Sequence, residues 1–232
     1  MFIIQNLFTM KLLGILILAY FLSGTTQDID ITISDAELKE IQFLREEEKL
    51  AHDVYSFLYE KWEIPVFNNI ANSESRHFNA IGFLIETYDL EDRASETPGI
   101  FQNRKLQALY DSLIIAGSTS LADALKVGAY IEEVDILDLQ KLLSSTSEET
   151  IKRVCSNLKG ASENHLRAFT RQLEFRDIDY LPQALTTDEF NSIMEINSAK
   201  GMGKGMCMMQ QKNPSNCPNN GNRKRMRRRG NF

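Results

Sequence analysis

Apolar side chains recur every three or four residues along four segments of the chain, the spacing that puts them on one face of an α-helix. A capping box, Ser34 with Glu37, opens the first segment, and Pro65 stands where a helix would begin in the second. The pattern predicts an all-α protein in which four long helices bury these faces against one another. The four stripes run through residues 41–62, 70–88, 121–142 and 151–172.

Six polar side chains stand in these stripes at positions where the spacing requires an apolar residue. A buried charge costs free energy unless it is paired or binds a metal ion, so the six need partners in the core. The chain has three histidines, and two of them belong to this set. The six are Glu48 in the first stripe, Glu74 and His77 in the second, Glu132 and Asp135 in the third, and His165 in the fourth.

These six residues are predicted to lie at one level of the fold. Residues that face each other across a helical hairpin are equally far from its loop along the chain. The midpoint between the first-stripe acid and the second-stripe pair falls near residue 62, at the turn "WEIP". The midpoint between the third-stripe acids and His165 falls near residue 149, beside the loop "SSTSEET". Each midpoint lies within about one helical turn, 3.6 residues, of the loop that joins the two helices.

Four carboxylates and two imidazoles at one level predict a site for two metal ions, with iron favoured and manganese as the alternative.

Some of these residues also have an ordinary structural explanation. Glu48 lies in the charged run "REEEK", and a single histidine such as His165 is commonly a hydrogen-bonded core residue. A bundle without metal would pair its acids with Arg45, Arg76 or His52. The common level of all six residues favours a metal site over these separate explanations.

The two ends of the chain differ in composition from the middle. Residues 1–27 place Lys11 before the apolar run "LLGILILAYFL", which predicts a signal peptide and an exported protein: periplasmic, secreted or at the cell surface. An uncleaved anchor and a buried helix are the alternatives, and no stable membrane span is expected once the signal is removed. Residues 199–232 carry nine Lys and Arg and no acidic residue, and are predicted to be a disordered tail that does not bind nucleic acid. Residues 177–198 are predicted to be a short helical extension.

The three cysteines include no C-x-x-C pair, which excludes a zinc or rubredoxin-type site built from thiolates. Cys207 and Cys217 could close a disulfide loop after export. The methionines around Cys207 offer soft ligands for Cu(I), although a low-complexity tail is the simpler account of them.

Several motifs resemble those of the ferritin-like superfamily, and in particular of its rubrerythrin branch. Glu48, Ala51 and Tyr55 stand in the relation that this branch shows on its first helix, and "ESRH" matches the Glu-x-x-His of its second. Residues 34–176 also resemble the ferritin-like family known only as a domain of unknown function (DUF2202), through "LREEEKLAHDVY", "SESRHF", "LKVGAYIEEVDILDL" and "NHLRAF". The resemblance implies an antiparallel four-helix bundle with one long crossover between its second and third helices, through residues 89–117.

The chain departs from the superfamily pattern in two places. Where the fourth helix usually repeats Glu-x-x-His, Ser162 stands three residues before His165, and Glu163 lies about 100° off the stripe. Asp135 is the expected replacement for the missing acid, with Glu163 as the alternative. The sequence also shows no rubredoxin-like domain, so electrons would come from an external donor.

The site and the resemblance together predict a dinuclear iron or iron/manganese oxidoreductase that acts on peroxide, O₂ or Fe(II). Tyr55 is a candidate redox or hydrogen-bonding residue in that reaction, and it is also explained as a buried core tyrosine. Two other functions stay open: an exported protein that binds and sequesters metal without turnover, and a metal-free structural bundle. The predicted partners are metal ions, small oxidants and an unidentified electron donor, and a homodimer is left open.

Overall fold

The computed structural model describes residues 33–195, and the contacts reported below lie within the unit that begins at Asp35. This part of the chain is helical and contains no strand, which confirms the predicted all-α class. None of its helices combines the length and apolarity that a membrane span requires. The predicted signal peptide, the predicted tail and the last residues of the predicted extension lie outside the described residues. The helices are α1 (Asp35–Trp62), α2 (Pro65–Thr87), α3 (Arg104–Gly117), α4 (Leu121–Ser145) and α5 (Glu149–Glu174), followed by helical residues 187–195.

Local capping chemistry sets where several of these helices begin. α2 starts at Pro65, which suits a first turn because the N–H that proline lacks has no partner there in any helix. The Asn103 side chain caps α3 by accepting hydrogen bonds from two backbone N–H groups of its first turn. Ser120 caps α4 by accepting from one such N–H group at 3.1 Å. α2 begins at the predicted Pro65, and α4 begins at Leu121, the first residue of the third predicted stripe.

The four long helices pack in two pairs, α1 on α2 and α4 on α5, and the pairs meet through α1 against α4 and α2 against α5. α3 packs against α1 and α4. In the core, the rings of Tyr55 and Phe67 lie 5.2 and 5.7 Å from the ring of Phe169. Each large apolar side chain buried in this way contributes about 1.5–3 kcal/mol, so the core can offset the cost of burying polar groups.

Charged side chains of α1 hold the segment that connects α2 to α3. Glu46 accepts a hydrogen bond from the backbone N–H of Gln102 at 2.6 Å, and Asp53 accepts one from the N–H of Gly99 at 2.8 Å. Lys49 donates to Asp53 at 2.5 Å. These three α1 side chains are buried as well as paired, so the charged run of α1 is not a solvated helix face.

α4 and α5 hold the C-terminal segment in a similar way. Glu133 is fully buried and accepts hydrogen bonds from the hydroxyl of Tyr180 at 2.5 Å and from the backbone N–H groups of residues 183–185 at 2.7–2.9 Å. Arg167 donates to the carbonyl of Ile193 at 2.8 Å. Four donors satisfy Glu133, and its role is therefore to anchor this segment to α4.

Gly128 and Gly160 allow a matched test of how closely α4 and α5 pack. A Cβ at Gly128 would lie 2.5 Å from Cε1 of Phe169, whereas a Cβ at Gly160 would meet nothing within 4 Å. We expect Gly128→Ala to lower the free energy of unfolding by about 1–3 kcal/mol, because the ring has to move. Gly160→Ala should raise it by up to about 1 kcal/mol, because alanine favours the helix. Urea titrations measure both, and equal effects would contradict the close contact.

Candidate metal centre

The structure brings all six predicted residues together between α1, α2, α4 and α5. Five of them are buried, and His165 has only 12% of its side chain exposed. Four close approaches between an imidazole nitrogen and a carboxylate oxygen link five of the residues. The sixth, Asp135, lies close enough to Glu132 and Glu74 for their charges to act on it. The six residues therefore form one cluster, called the polar cluster below.

Glu74 lies between the two imidazoles of the polar cluster. Its Oε2 is 2.7 Å from Nδ1 of His77, and its Oε1 is 2.8 Å from Nδ1 of His165. Each imidazole has a second carboxylate at 3.4 Å, Glu48 beside His77 and Glu132 beside His165. The two rings stack with centroids 5.4 Å apart and planes 20° apart. The cluster thus has two halves, each with one histidine and one glutamate, and the halves share Glu74.

Several atoms of the polar cluster are buried without a hydrogen bond. Among residues 33–195, seven buried side-chain atoms have no hydrogen-bond partner, and five of them belong to the six predicted residues. The Nδ1 atoms of both histidines are included, and their contacts with Glu74 at 2.7 and 2.8 Å are ion pairs. The five atoms are Glu48 Oε1, Glu74 Oε1, His77 Nδ1, Asp135 Oδ1 and His165 Nδ1.

Carboxylate and imidazole atoms that converge in this way suit a cation placed between them. One atom each from Glu74, His77 and His165 lies within 4.8 Å of the other two, a spacing that a metal ion can fill. Carboxylate oxygen and imidazole nitrogen are the donors that iron and manganese accept. The residues present therefore fit a metal centre.

Burial and mutual charge shift the pKa values of the polar cluster. Burial raises the pKa of Glu74, but His165 and His77 outweigh it and lower that pKa to about 2. Burial lowers the pKa of the histidines, but the neighbouring carboxylates raise it to about 11 for His77 and about 10 for His165. Burial and the charge of Glu132 raise the pKa of Asp135 to about 7. Without metal, protonated imidazoles therefore compensate part of the carboxylate charge.

Two hydroxyl groups hold acids of the polar cluster in place. The hydroxyl of Tyr55 donates to Oε1 of Glu132 at 2.6 Å, and burial and the charge of Glu132 raise the pKa of Tyr55 well above its usual range. The hydroxyl of Ser162 on α5 donates to Oδ2 of Asp135. In both cases one carboxylate oxygen is bound, and the other is left for the interior of the cluster.

The two candidates for the additional acid have different surroundings. Glu163 lies 2.5 Å from Lys159, one turn earlier on α5, and 16% of its side chain is exposed. Asp135 lies within the polar cluster, and its Oδ1 has no partner. The structure thus places Asp135, and not Glu163, beside the other predicted ligands.

A metal-free bundle is expected to pair its acids with Arg45, Arg76 or His52, and two of these three have partners outside the polar cluster. Arg45 binds Asp92 at 2.8 Å, and His52 lies 3.0 Å from Asp53. Arg76 is exposed. Arg45 and His52 are thereby engaged away from the polar cluster.

Sequence reasoning missed Glu47, a further buried acid next to the cluster. Only 4% of Glu47 is exposed, its Oε2 has no hydrogen-bond partner, and its carboxyl group lies near Asp138 and Asp135. Glu47 lies about 100° around α1 from Glu48 and so falls off the predicted stripe. It is buried because α1 packs against α4 as well as α2. The run of three acids in "REEEK" was the available signal, but it does not tell which of them are buried.

Comparisons with known proteins match most of the chain. Residues 37–197 match the family described as "Uncharacterized protein domain (DUF2202)". A relative, "Uncharacterized protein MJ0754" of Methanocaldococcus jannaschii, is 43% identical over 173 residues, which are 74% of this chain and 94% of the relative. The crystal structure of hypothetical protein MJ0754 from Methanococcus jannaschii matches with a TM-score of 0.69 and 44% identity, over 71% of this chain and 94% of that one.

The pKa shifts predict how the stability of the metal-free protein depends on pH. The pKa values of His77 and His165 are raised from 6.5, so their stabilising contribution is full below pH 6.5 and is lost as the pH rises towards about 10. The pKa of Asp135 is raised from 3.8 to about 7, so its contribution to stability is also lost as the pH rises, but over a lower pH range. We therefore expect the melting temperature of the metal-free protein to fall between about pH 7 and pH 9.

Two histidine variants control this measurement. In His165→Gln the fall in melting temperature should be smaller, because one of the shifted groups is gone. His52→Gln, which removes the imidazole outside the polar cluster, should keep the full fall. A melting temperature that does not change with pH in the wild-type protein would contradict the charged imidazoles.

Proposed function

The chain belongs to the DUF2202 family, and from its polar cluster we propose that it is a dinuclear metal carboxylate protein that holds iron, or iron with manganese. We further propose that it is an oxidoreductase acting on peroxide, O₂ or Fe(II). The observation that carries the proposal is that Glu74, His77 and His165 each place one ligand atom within 4.8 Å of the other two, beside buried oxygens of Glu48 and Asp135 that have no hydrogen-bond partner. Such atoms are costly to bury, and a bound cation removes that cost.

The proposed ligands follow from the two halves of the polar cluster. Glu48 and His77 would hold one ion, Glu132 and His165 the other, and Glu74, which has one oxygen beside each histidine, would be shared. Asp135 supplies a sixth side chain, oriented by Ser162. Two imidazoles with four carboxylates match the donor set used by dinuclear iron proteins with helical bundles.

The chain's own residues would set the conditions for redox chemistry. When bound, an iron pair supplies two electrons to O₂ or peroxide. The carboxylates stabilise the higher positive charge that oxidation leaves behind. The hydroxyl of Tyr55 holds a proton 2.6 Å from Glu132, so Tyr55 is the proposed hydrogen-bonding residue of that half. Burial keeps bulk water away from the cluster.

The helix arrangement supports a ferritin-like bundle as the finer description of the fold. α1 pairs with α2 and α4 with α5, which gives two hairpins. Tyr55 contacts Glu132 and Glu40 contacts Lys141, so residue numbers rise along α1 as they fall along α4, and these helices are antiparallel. The segment between α2 and α4, which includes α3, would be the long crossover.

A second candidate function is metal sequestration without turnover. Ser162 stands where the fourth helix of the superfamily usually has a glutamate, and its hydroxyl binds Asp135 instead of offering a charged ligand. This departure from the superfamily pattern motivates a site that holds metal without turnover. Both functions are proposed for an exported protein because of the signal-like sequence of residues 1–27.

Metal analysis tests the proposal directly. Protein that lacks residues 1–27, loaded with Fe(II) or Mn(II), should bind two ions per chain and melt at a higher temperature than the metal-free form. Glu74→Ala and His77→Ala should each lose metal but remain helical. Glu60→Ala, which removes an exposed carboxylate from α1, is the control and should bind as the wild type does.

Equal melting temperatures with and without metal would count against a metal centre. Peroxide-dependent oxidation of added Fe(II) would distinguish the oxidoreductase from the sequestering protein.

A pair of near-isosteric variants tests which acid completes the site. We expect Asp135→Asn to weaken metal binding by about tenfold or more, as loss of a group at a metal site commonly does. Glu163→Gln should leave binding nearly unchanged, because Glu163 is paired with Lys159 outside the cluster. Titration of each apoprotein with Mn(II) measures the difference. The reverse order of effects would mean that α5 presents Glu163 to the metal in place of Asp135.

A further inference from the structure

A row of acidic side chains leads along the contact between α1 and α4 towards the polar cluster. Glu40 and Glu47 lie two turns apart on α1, and Asp138 and Asp135 lie one turn apart on α4. Burial increases along this row. The side chain of Glu40 is 17% exposed and Asp138 is half-buried, whereas Glu47 and Asp135 are buried. The acidic row, as these four residues are called below, therefore connects the protein surface with the centre.

Glu47 is a member of the acidic row that is buried beside other acids. Its carboxyl group lies within hydrogen-bond reach of the carboxyl group of Asp138, and its buried Oε2 has no hydrogen-bond partner. Asp135 and Glu48 also act on it with charges of the same sign. Two carboxylates so close together repel each other unless a proton or a cation lies between them. Glu47 thus has another acid, Asp138, as its hydrogen-bonding neighbour, and a proton or a cation is needed between the two.

The surface end of the acidic row carries a cation that can leave. Lys141 binds both oxygens of Glu40, at 2.7 and 2.8 Å, and 65% of its side chain is exposed. Its charge also acts on Asp138. When Glu40, Glu47 and Asp138 are all ionised, they carry three negative charges. The ammonium of Lys141 compensates one of these, which leaves two. A divalent cation has the charge that would compensate them.

We propose that Glu47 and Asp138 form an outer cation site. This site takes hydrated Fe(II) or Mn(II) from solvent and delivers the ion, by way of Asp135, to the other residues of the polar cluster. This inference rests on the proposed function, since it needs a centre that accepts the ion. The outer site offers only oxygen donors, which suits hard divalent ions that exchange water ligands for carboxylates. The ion moves without a change in oxidation state. Lys141 releases Glu40 as the ion passes.

The rate of metal loading tests the outer site. Apoprotein is mixed with Mn(II) in a stopped-flow instrument, and a fluorescent chelator reports the free ion over time. We expect Glu47→Gln and Asp138→Asn each to slow loading by at least about tenfold, because focused negative charge raises the rate at which cations arrive. At saturation, metal analysis should still find the two ions per chain that the polar cluster is proposed to hold. Glu60→Gln removes an exposed acid from the same helix and should not change the rate.

The possible outcomes separate this inference from the proposed function. If the wild type binds Mn(II) and both variants load at the wild-type rate, the outer site is wrong and the metal centre stands. If both variants bind fewer than two ions per chain at saturation, Glu47 and Asp138 belong to the centre itself, which likewise overturns a separate outer site. If the wild type binds no Mn(II), both proposals fail together. Circular dichroism checks folding, and the half-buried position of Asp138 keeps one variant informative should Glu47→Gln not fold.

Discussion

The charge of four carboxylates buried between α1, α2, α4 and α5 has to be compensated, because a helical core offers them little water. Glu74 shows how the metal-free chain does this. It lies between His77 and His165, whose pKa values are raised far enough to keep both imidazoles protonated at neutral pH. One oxygen of Glu48 and one of Asp135 nevertheless remain buried without a hydrogen-bond partner. Atoms that are costly to bury without a partner are the ligands that a metal pair would use.

The charged run of α1 divides its residues between holding the fold and serving the cluster. Glu46, Lys49 and Asp53 bind the segment between α2 and α3, so they keep that segment against the helix. Glu48 turns inward to His77, and Glu47 turns towards α4. Adjacent acids on one helix can have such different roles because successive residues point about 100° apart, and α1 has neighbours on several sides.

The hydroxyl groups of Ser162 and Tyr55 hold acids of the polar cluster in position. Each hydroxyl binds one oxygen of an acid on α4, and that bond fixes how the acid faces the cluster. Supporting hydrogen bonds of this kind orient metal ligands and influence their affinity. Ser162 itself offers no charge to the cluster, but its partner Asp135 occupies the cluster from the neighbouring helix.

The sequence alone determined the helices and the membership of the polar cluster. Periodicity along each helix identifies its buried face, and equal distance from a hairpin loop identifies residues at one level, so both can be read locally. The tertiary structure decided what local spacing does not encode. It placed Glu74 between the two histidines, paired Glu163 with Lys159, and used Glu133 to bind residues 183–185. Glu133 and its partners are about fifty residues apart in the chain, and their meeting depends on how α4 packs with the C-terminal segment. A helix that contacts several neighbours has more than one buried face, and a single stripe describes only one of them.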